Sequence, residues 1–236
     1  MTRLLAVDTA TEACSVALWQ QGRILGRHEI AGRDHTRLLL PMLHAVLAEA
    51  GCTQAQLDGF VCDVGPGSFA GVRIGVGLIK GLALALDKPV VPVMSLTSLA
   101  QRAMRLQGAS QVIAVIDARM NEVYSASFVR DAQGRARLEA PVQVSPAQVL
   151  PALSAGIWHA VGSGWKTYDA ILRKAAAASL QAVDGQALPQ AEDALHWAQA
   201  EWQAGRYVSA DELEPVYLRD KVALTIAEQR QIRPPA

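Results

Sequence analysis

Cysteine is scarce in this 236-residue chain: Cys14, Cys52 and Cys62 are the full complement. They are odd in number, stand at unrelated spacings and form no Cys-x-x-Cys pair, which argues against a disulfide framework and for reduced thiols. Net charge is absent too, with 22 basic residues against 22 acidic ones. A strong grip on nucleic acid needs clustered Lys and Arg, so none is expected of this chain alone, although partners could supply the positive charge. No apolar run is unbroken. The longest, IGVGLIKGLALALDKPVVPV at residues 74–93, is interrupted by Lys80, Asp87, Lys88 and Pro89 and reads as too short and too charged to cross a membrane. The opening MTRLLAVDTATEACSV meets Asp8 and Glu12 too early for the core of a secretory signal. A soluble cytoplasmic protein is therefore expected. The histidines (His28, His35, His44, His159 and His196) include no His-x-x-x-His or His-Glu-x-x-His pair, so no metal site is expected. With 51% hydrophobic and 19% charged residues, the chain is a folded one with a core of real size.

The segment GPGSFAGVRIG at residues 65–75 resembles a phosphate cradle but lacks the spacing of one. A P-loop requires Lys directly after its second glycine, where Val72 stands, and the dinucleotide fingerprint fails on the gap between Gly67 and Gly71. The bland reading is a strand-to-helix turn, with Gly65 and Gly67 permitting unusual dihedrals and Ser68 as N-cap. Cys62, in the apolar strand just before, reads as core rather than as a nucleophile.

Around this turn the expected elements are strands at residues 4–7, 15–19 and 24–30, and a helix at 35–50 begun by Asp34, stopped by Gly51 and kinked or restarted by Pro41. A strand at 60–64, a helix at 69–86, a strand at 90–93 and a helix at 96–106 follow. The second half then repeats the first. LLAVDTATEACSVALW and IAVIDARMNEVYSASF share the pattern of strand, Asp, polar turn and strand, so that Asp117 answers Asp8, and VGSGW at 161–165 answers VGPGS at 64–68. The fold class expected is α/β: two duplicated ribonuclease H-like lobes, mixed sheets flanked by helices, in the layout of the actin-like ATPase superfamily. The N-terminal lobe is placed at residues 1–107 and the C-terminal lobe, with a helical C-terminal segment, at 108–236.

Paired Asp turns and Gly turns facing one cleft make Asp8, Thr9, Asp117, Gly162 and Gly164 candidates for holding a nucleotide. A stand-alone small-molecule kinase or ATPase using Asp8 and Asp117 is the alternative function. Against it, residues 9–12 and 118–122 contain no glycine that would let backbone wrap a phosphate. Helix 69–86 is the richer feature. Gly71 and Gly75 form one row at i, i+4, and Gly77, Gly81 and Ala85 another. Each interior glycine costs about 1 kcal/mol relative to Ala, so close contact has to offset a few kcal/mol. Apolar residues nearly all round this helix, and more than one apolar stripe on helix 35–50, point to a helix-pair interface with another subunit.

The motifs LLAVDTATEACSVAL, HTRLLLPML, GPGSFAGVRIG, VIDARMNEVY, VGSGW and PVYLRDKVA together resemble the bacterial TsaB family, also called YeaZ, from about residue 3 to 225. One departure is Ala70, where the family usually has Thr. The resemblance implies a non-catalytic scaffold in the complex that makes N6-threonylcarbamoyladenosine (t6A) at position 37 of tRNAs reading ANN codons. It implies as partners a TsaD-like transferase and a TsaE-like ATPase, with tRNA reached only through the complex, and it implies no catalytic residue or cofactor here. The family's TsaD subunit uses a His-x-x-x-His metal site, a spacing this chain lacks. The contact, and a homodimer when the chain is alone, is expected through helices 35–50 and 69–86. The interface candidates are Leu39, Met42, Leu43, Val46, Gly71, Arg73, Ile74, Gly75, Leu78, Ile79 and Leu82.

Overall fold

The strand β1 (Arg3–Asp8) shows why the sheets lie inside. Leu5 and Val7 point into one apolar cluster and Leu4 and Ala6 into another, so both faces are covered, as expected of a central strand. The computed structural model describes residues 2–176 and 179–219. The part of the C-terminal segment beyond Arg219 lies outside the described residues.

From β1 the chain turns into β2 (Ala13–Gln20) and β3 (Arg23–Ile30), then α1 (His35–Glu49), β4 (Gly59–Asp63), α2 (Phe69–Leu86), β5 (Val90–Val93) and α3 (Ser95–Gln107). The second half runs β6 (Gln111–Arg119), β7 (Glu122–Arg130), β8 (Ala136–Leu138), β9 (Gln143–Pro146), β10 (Ile157–Val161), α4 (Ser163–Ala176), β11 (Ser179–Asp184) and α5 (Ala191–Gln203). The sheet orders are β3-β2-β1-β4-β5 and β8-β7-β6-β10-β11, with β9 added beside β7. In each sheet the first three strands pair antiparallel and the last two join in parallel. The duplication therefore holds strand for strand, and the fold is the α/β, two-lobed actin-like type. Where the first lobe has α1, the second has β9.

Helices and sheets stack in five layers. α1 and α2 cover the outer face of the first sheet, and α4 the outer face of the second. Between the sheets lie α5, on the first, and α3, on the second. Each of these two helices thus crosses to the other lobe. They are joined by Asp193, which is fully buried and takes Arg102 at 3.2 Å and Arg105 at 2.9 Å.

Two local expectations need correction. Pro41 neither kinks nor restarts α1, which runs unbroken past it with the proline on the solvent side. Asp34 stands at the N-cap, as expected of the helix start, with its side chain on Arg37 at 2.9 Å rather than on the helix amides. Ser68 does cap α2, accepting from the Gly71 N–H at 3.3 Å. That helix, with a mean hydropathy of 1.7 over 18 residues, is long and apolar enough to cross a membrane by length and composition, contrary to the reading above. Here it lies on the first sheet, with Val72, Val76, Ile79 and Ala83 in the core.

Candidate functional site

The glycine loop holds a piece of its own chain. The turn between β1 and β2, residues 9–12, is pressed against the start of α2. Ser68 N–H donates to the Ala10 carbonyl at 2.6 Å, and a Cβ on Gly67 would stand 2.1 Å from that same oxygen. Thr9 Oγ1 donates to the Gly71 carbonyl at 2.8 Å. A Cβ on Gly71 would lie 2.2 Å from the Thr9 carbonyl oxygen, and one on Gly75 would lie 2.6 Å from Thr9 Oγ1. His35, at the start of α1, ties the far side of the turn by donating from Nε2 to the carbonyls of Thr11 and Ala13 at 2.8 and 3.1 Å. Two leading amides of α2, Ser68 N–H and Gly71 N–H, are thus answered from within, and a helix start so occupied has less to offer an anion.

Behind the turn lies a pair of buried carboxyls. β1 and β4 run in parallel with Val7 opposite Cys62, which brings Asp8 beside Asp63. Asp8 accepts from Ala10 N–H at 3.0 Å, and Asp63 from Gly65 N–H at 2.7 Å and Ser95 Oγ at 2.6 Å. On each, Oδ2 is buried without another partner among the described residues. Burial pushes Asp63 well above the carboxylate range, and the Asp8 charge adds to this. Asp8 is pushed up to about 6, first of all by burial. Two neighbouring buried carboxyls do not favour ionising together, so the pair favours holding one proton, on Asp63 and shared toward Asp8. Burial likewise pushes the Cys62 thiol up, as suits a core residue.

Between the lobes opens a cleft of about 700 Å³. Its first wall includes Thr11, Arg33 and Ser68, its second Asp117, Ser163 and Lys166, and residues 216–219 close one side. Asp117 repeats the turn of Asp8, accepting from the backbone N–H two residues on, that of Arg119, at 2.8 Å. Its other oxygen meets the Arg119 guanidinium at 3.1 Å. Of the five cleft candidates, only Asp117 lines the space. Asp8 and Thr9 face inward, while Gly162 and Gly164 allow α4 to approach Val115 on β6. Among the described residues no three His, Cys, Asp or Glu side chains converge as a metal site would need.

The eleven interface candidates divide by exposure. Leu39, Met42, Leu43, Val46, Gly71, Gly75 and Ile79 are buried within this chain, so they are corrected to core and turn-packing residues. Arg73 is exposed, and Ile74, Leu78 and Leu82 are half-buried. The outer face of α2 also carries residues the sequence reading left out of the site: Gly77 and Gly81, with no atom of the described residues within 4 Å of where a Cβ would stand, Leu84, 53% exposed, and Phe69, 59% exposed. Leu40 and His44 of α1 are exposed as well. The signal for this face was present. Val72, Val76, Ile79 and Ala83 mark the inner stripe, and Gly77, Gly81 and Leu84 fall on the opposite side of the helix.

A family model described as TsaD: tRNA N6-adenosine threonylcarbamoyltransferase matches residues 28–226. The chain is 41% identical, over 226 residues, to the tRNA threonylcarbamoyladenosine biosynthesis protein TsaB of Escherichia coli K12, which covers 94% of this chain and 96% of the relative. It is 42% identical to the TsaB protein of Haemophilus influenzae, over 93% of this chain and 94% of that one. Among solved structures, YeaZ from Pseudomonas aeruginosa superposes with a TM-score of 0.87 at 43% identity, covering 92% of this chain and 100% of that one.

Proposed function

Because this chain belongs to the TsaB family of tRNA threonylcarbamoyladenosine biosynthesis proteins, we propose that its part in that biosynthesis is to bind a TsaD-like transferase as a non-catalytic interaction subunit. The docking surface is the outer face of α2 with the neighbouring outer residues of α1. A TsaE-like ATPase and tRNA join through the complex formed there, in the cytoplasm. Without the transferase, the same face pairs two copies of the chain.

One observation carries the reading. Gly77 and Gly81 sit in a helix interior with open space beside them, where alanine would be the better helix former by about 1 kcal/mol each. Nothing among the described residues offsets that cost, whereas a helix packed backbone-close against this row would. Half-buried Leu78 and Leu82 and exposed Leu84 supply apolar surface around the row. The cleft supports the non-catalytic part. Asp8 is held in the carboxyl pair, Thr9 has its hydroxyl on α2, and Asp117 alone of the two aspartates is left for a stand-alone kinase or ATPase.

Co-purification with the transferase tests the proposal. Gly77→Trp and Leu84→Glu should abolish capture while the unfolding transition of the free chain, measured at a concentration low enough to keep it monomeric, stays in place. Retained capture by both variants overturns the docking face. Calorimetry with ATP and Mg²⁺ addresses the alternative, since micromolar binding by the isolated chain that Asp117→Asn removes would favour an enzyme.

A further inference from the structure

After α5 the chain returns to the first lobe as an extended strap. Val208 exchanges both backbone hydrogen bonds with Val90 at 2.9 Å. Ala210 and Leu213 enter the core beneath α2. Lys80 on α2 donates to the carbonyls of Asp211 at 3.0 Å and Leu213 at 3.3 Å, and Val216 N–H donates to the Val64 carbonyl at 2.8 Å. Up to residue 216 the strap is therefore fastened to the first lobe at every few residues.

Three residues later it fastens to the second. The Arg219 guanidinium donates to the Ala118 carbonyl at 3.0 Å, reaches the Arg119 carbonyl at 3.5 Å and pairs with the Glu122 carboxylate. Those groups belong to the turn between β6 and β7, where Arg119, Met120 and Asn121 stand at φ of 64°, 57° and 61°. Three successive left-handed residues, none of them glycine, are each unfavourable and persist only where the surroundings hold them. Bonds from within the lobe help, among them Arg119 N–H and the Arg119 guanidinium to Asp117 and Ala147 N–H to the Asn121 carbonyl at 3.1 Å. Arg219, on a strap anchored across the cleft, adds a hold from outside the lobe.

We propose that Arg219 is a latch: it pins the strained turn of the second lobe to a strap fixed on the first, and so sets the opening of the cleft. A two-lobed protein that closes on a ligand needs lobes free to rotate. Here α3 and α5 are bound to each other between the sheets through Asp193, and the strap fastens the mouth. The cleft is held at one width, and the chain acts as a rigid frame. This inference stands apart from the identity of any partner on α2.

Hydrogen–deuterium exchange on the full chain tests it. In Arg219→Ala, peptides spanning residues 117–123 and 144–149 should exchange faster by about tenfold, the factor matching one lost hydrogen bond to a charged group. Peptides from β2 and β3 should be unchanged. Arg219→Lys, whose single ammonium cannot serve two carbonyls and a carboxylate together, should fall between, which keeps the test informative if the alanine variant folds poorly. Wild-type exchange rates in both variants, or acceleration spread evenly over both lobes, overturn the latch.

Discussion

Alanine placed along one helix should change stability in opposite senses according to which way each glycine of α2 faces. At Gly77 no atom of the described residues lies within 4 Å of the new Cβ. The substitution then returns the helix preference of Ala over Gly, about 1 kcal/mol, which for a chain of this length raises Tm by about 2–4 °C. At Gly71 the same gain meets the carbonyl oxygen of Thr9 only 2.2 Å from the Cβ. That oxygen cannot retreat cheaply, because the turn carrying it is fixed by Ser68 N–H on the Ala10 carbonyl and by Thr9 Oγ1 on the Gly71 carbonyl. Overpacking costs about 1–3 kcal/mol, and a clash with backbone belongs at the upper end, so Gly71→Ala should destabilise by about 2 kcal/mol net. Gly75→Ala should fall between, since its Cβ meets the Thr9 hydroxyl, a side-chain atom able to rotate away at the loss of one hydrogen bond. Urea denaturation followed by tryptophan fluorescence measures all three. It should be run at two protein concentrations, because pairing through the outer face of α2 would add a concentration-dependent term. The reasoning fails if Gly71→Ala is as stable as the wild type, or if Gly77→Ala is destabilised at the lower concentration.

The shared proton of Asp8 and Asp63 has a pH signature. Both carboxyls are raised in the folded state, so their favourable contribution is complete below about pH 4. The share of Asp8, raised to about 6 against an ordinary 3.8, is lost as pH rises through 6, and that of Asp63 is lost as pH rises through its own, well-raised value. Asp63→Asn keeps acceptors for Gly65 N–H and Ser95 Oγ and offers an N–H to Asp8. It should therefore flatten the stability profile between pH 4 and pH 7, measured by urea midpoints, while Asp63→Ala should cost about 1–3 kcal/mol by orphaning buried donors. Equal behaviour of the two variants would sink the proton-sharing account. Asp193→Ala leaves Arg102 and Arg105 facing each other between the lobes without their buried carboxylate, and should destabilise by about 3–5 kcal/mol in the same denaturation assay. A loss below about 1 kcal/mol would show that water reaches those guanidinium groups and screens them.

Local chemistry wrote the elements into the sequence, and long-range pairing wrote the site. The span of α2 is legible because Ser68 caps it and the apolar run ends at Asp87, which takes the left-handed conformation at φ of 51°. The duplication is legible because an aspartate that ends a strand and binds the amide two residues on leaves the same trace at Asp8 and at Asp117. The carboxyl pair is not, since Asp8 and Asp63 meet only once β1 and β4 are known to lie side by side in parallel. Nor is the crossing of α3 and α5, whose apolar stripes would suit either sheet until Asp193 meets Arg102 and Arg105. The two glycine rows of α2 sit between these cases. Periodicity separates them into an inner and an outer row, but the inner one is claimed by the β1–β2 turn, which no local pattern reveals. A glycine row records that something comes close to the helix. Whether that is the chain's own turn, as at Gly71, or surface left for a partner, as at Gly77, is decided by which atoms fill the space where the Cβ would be.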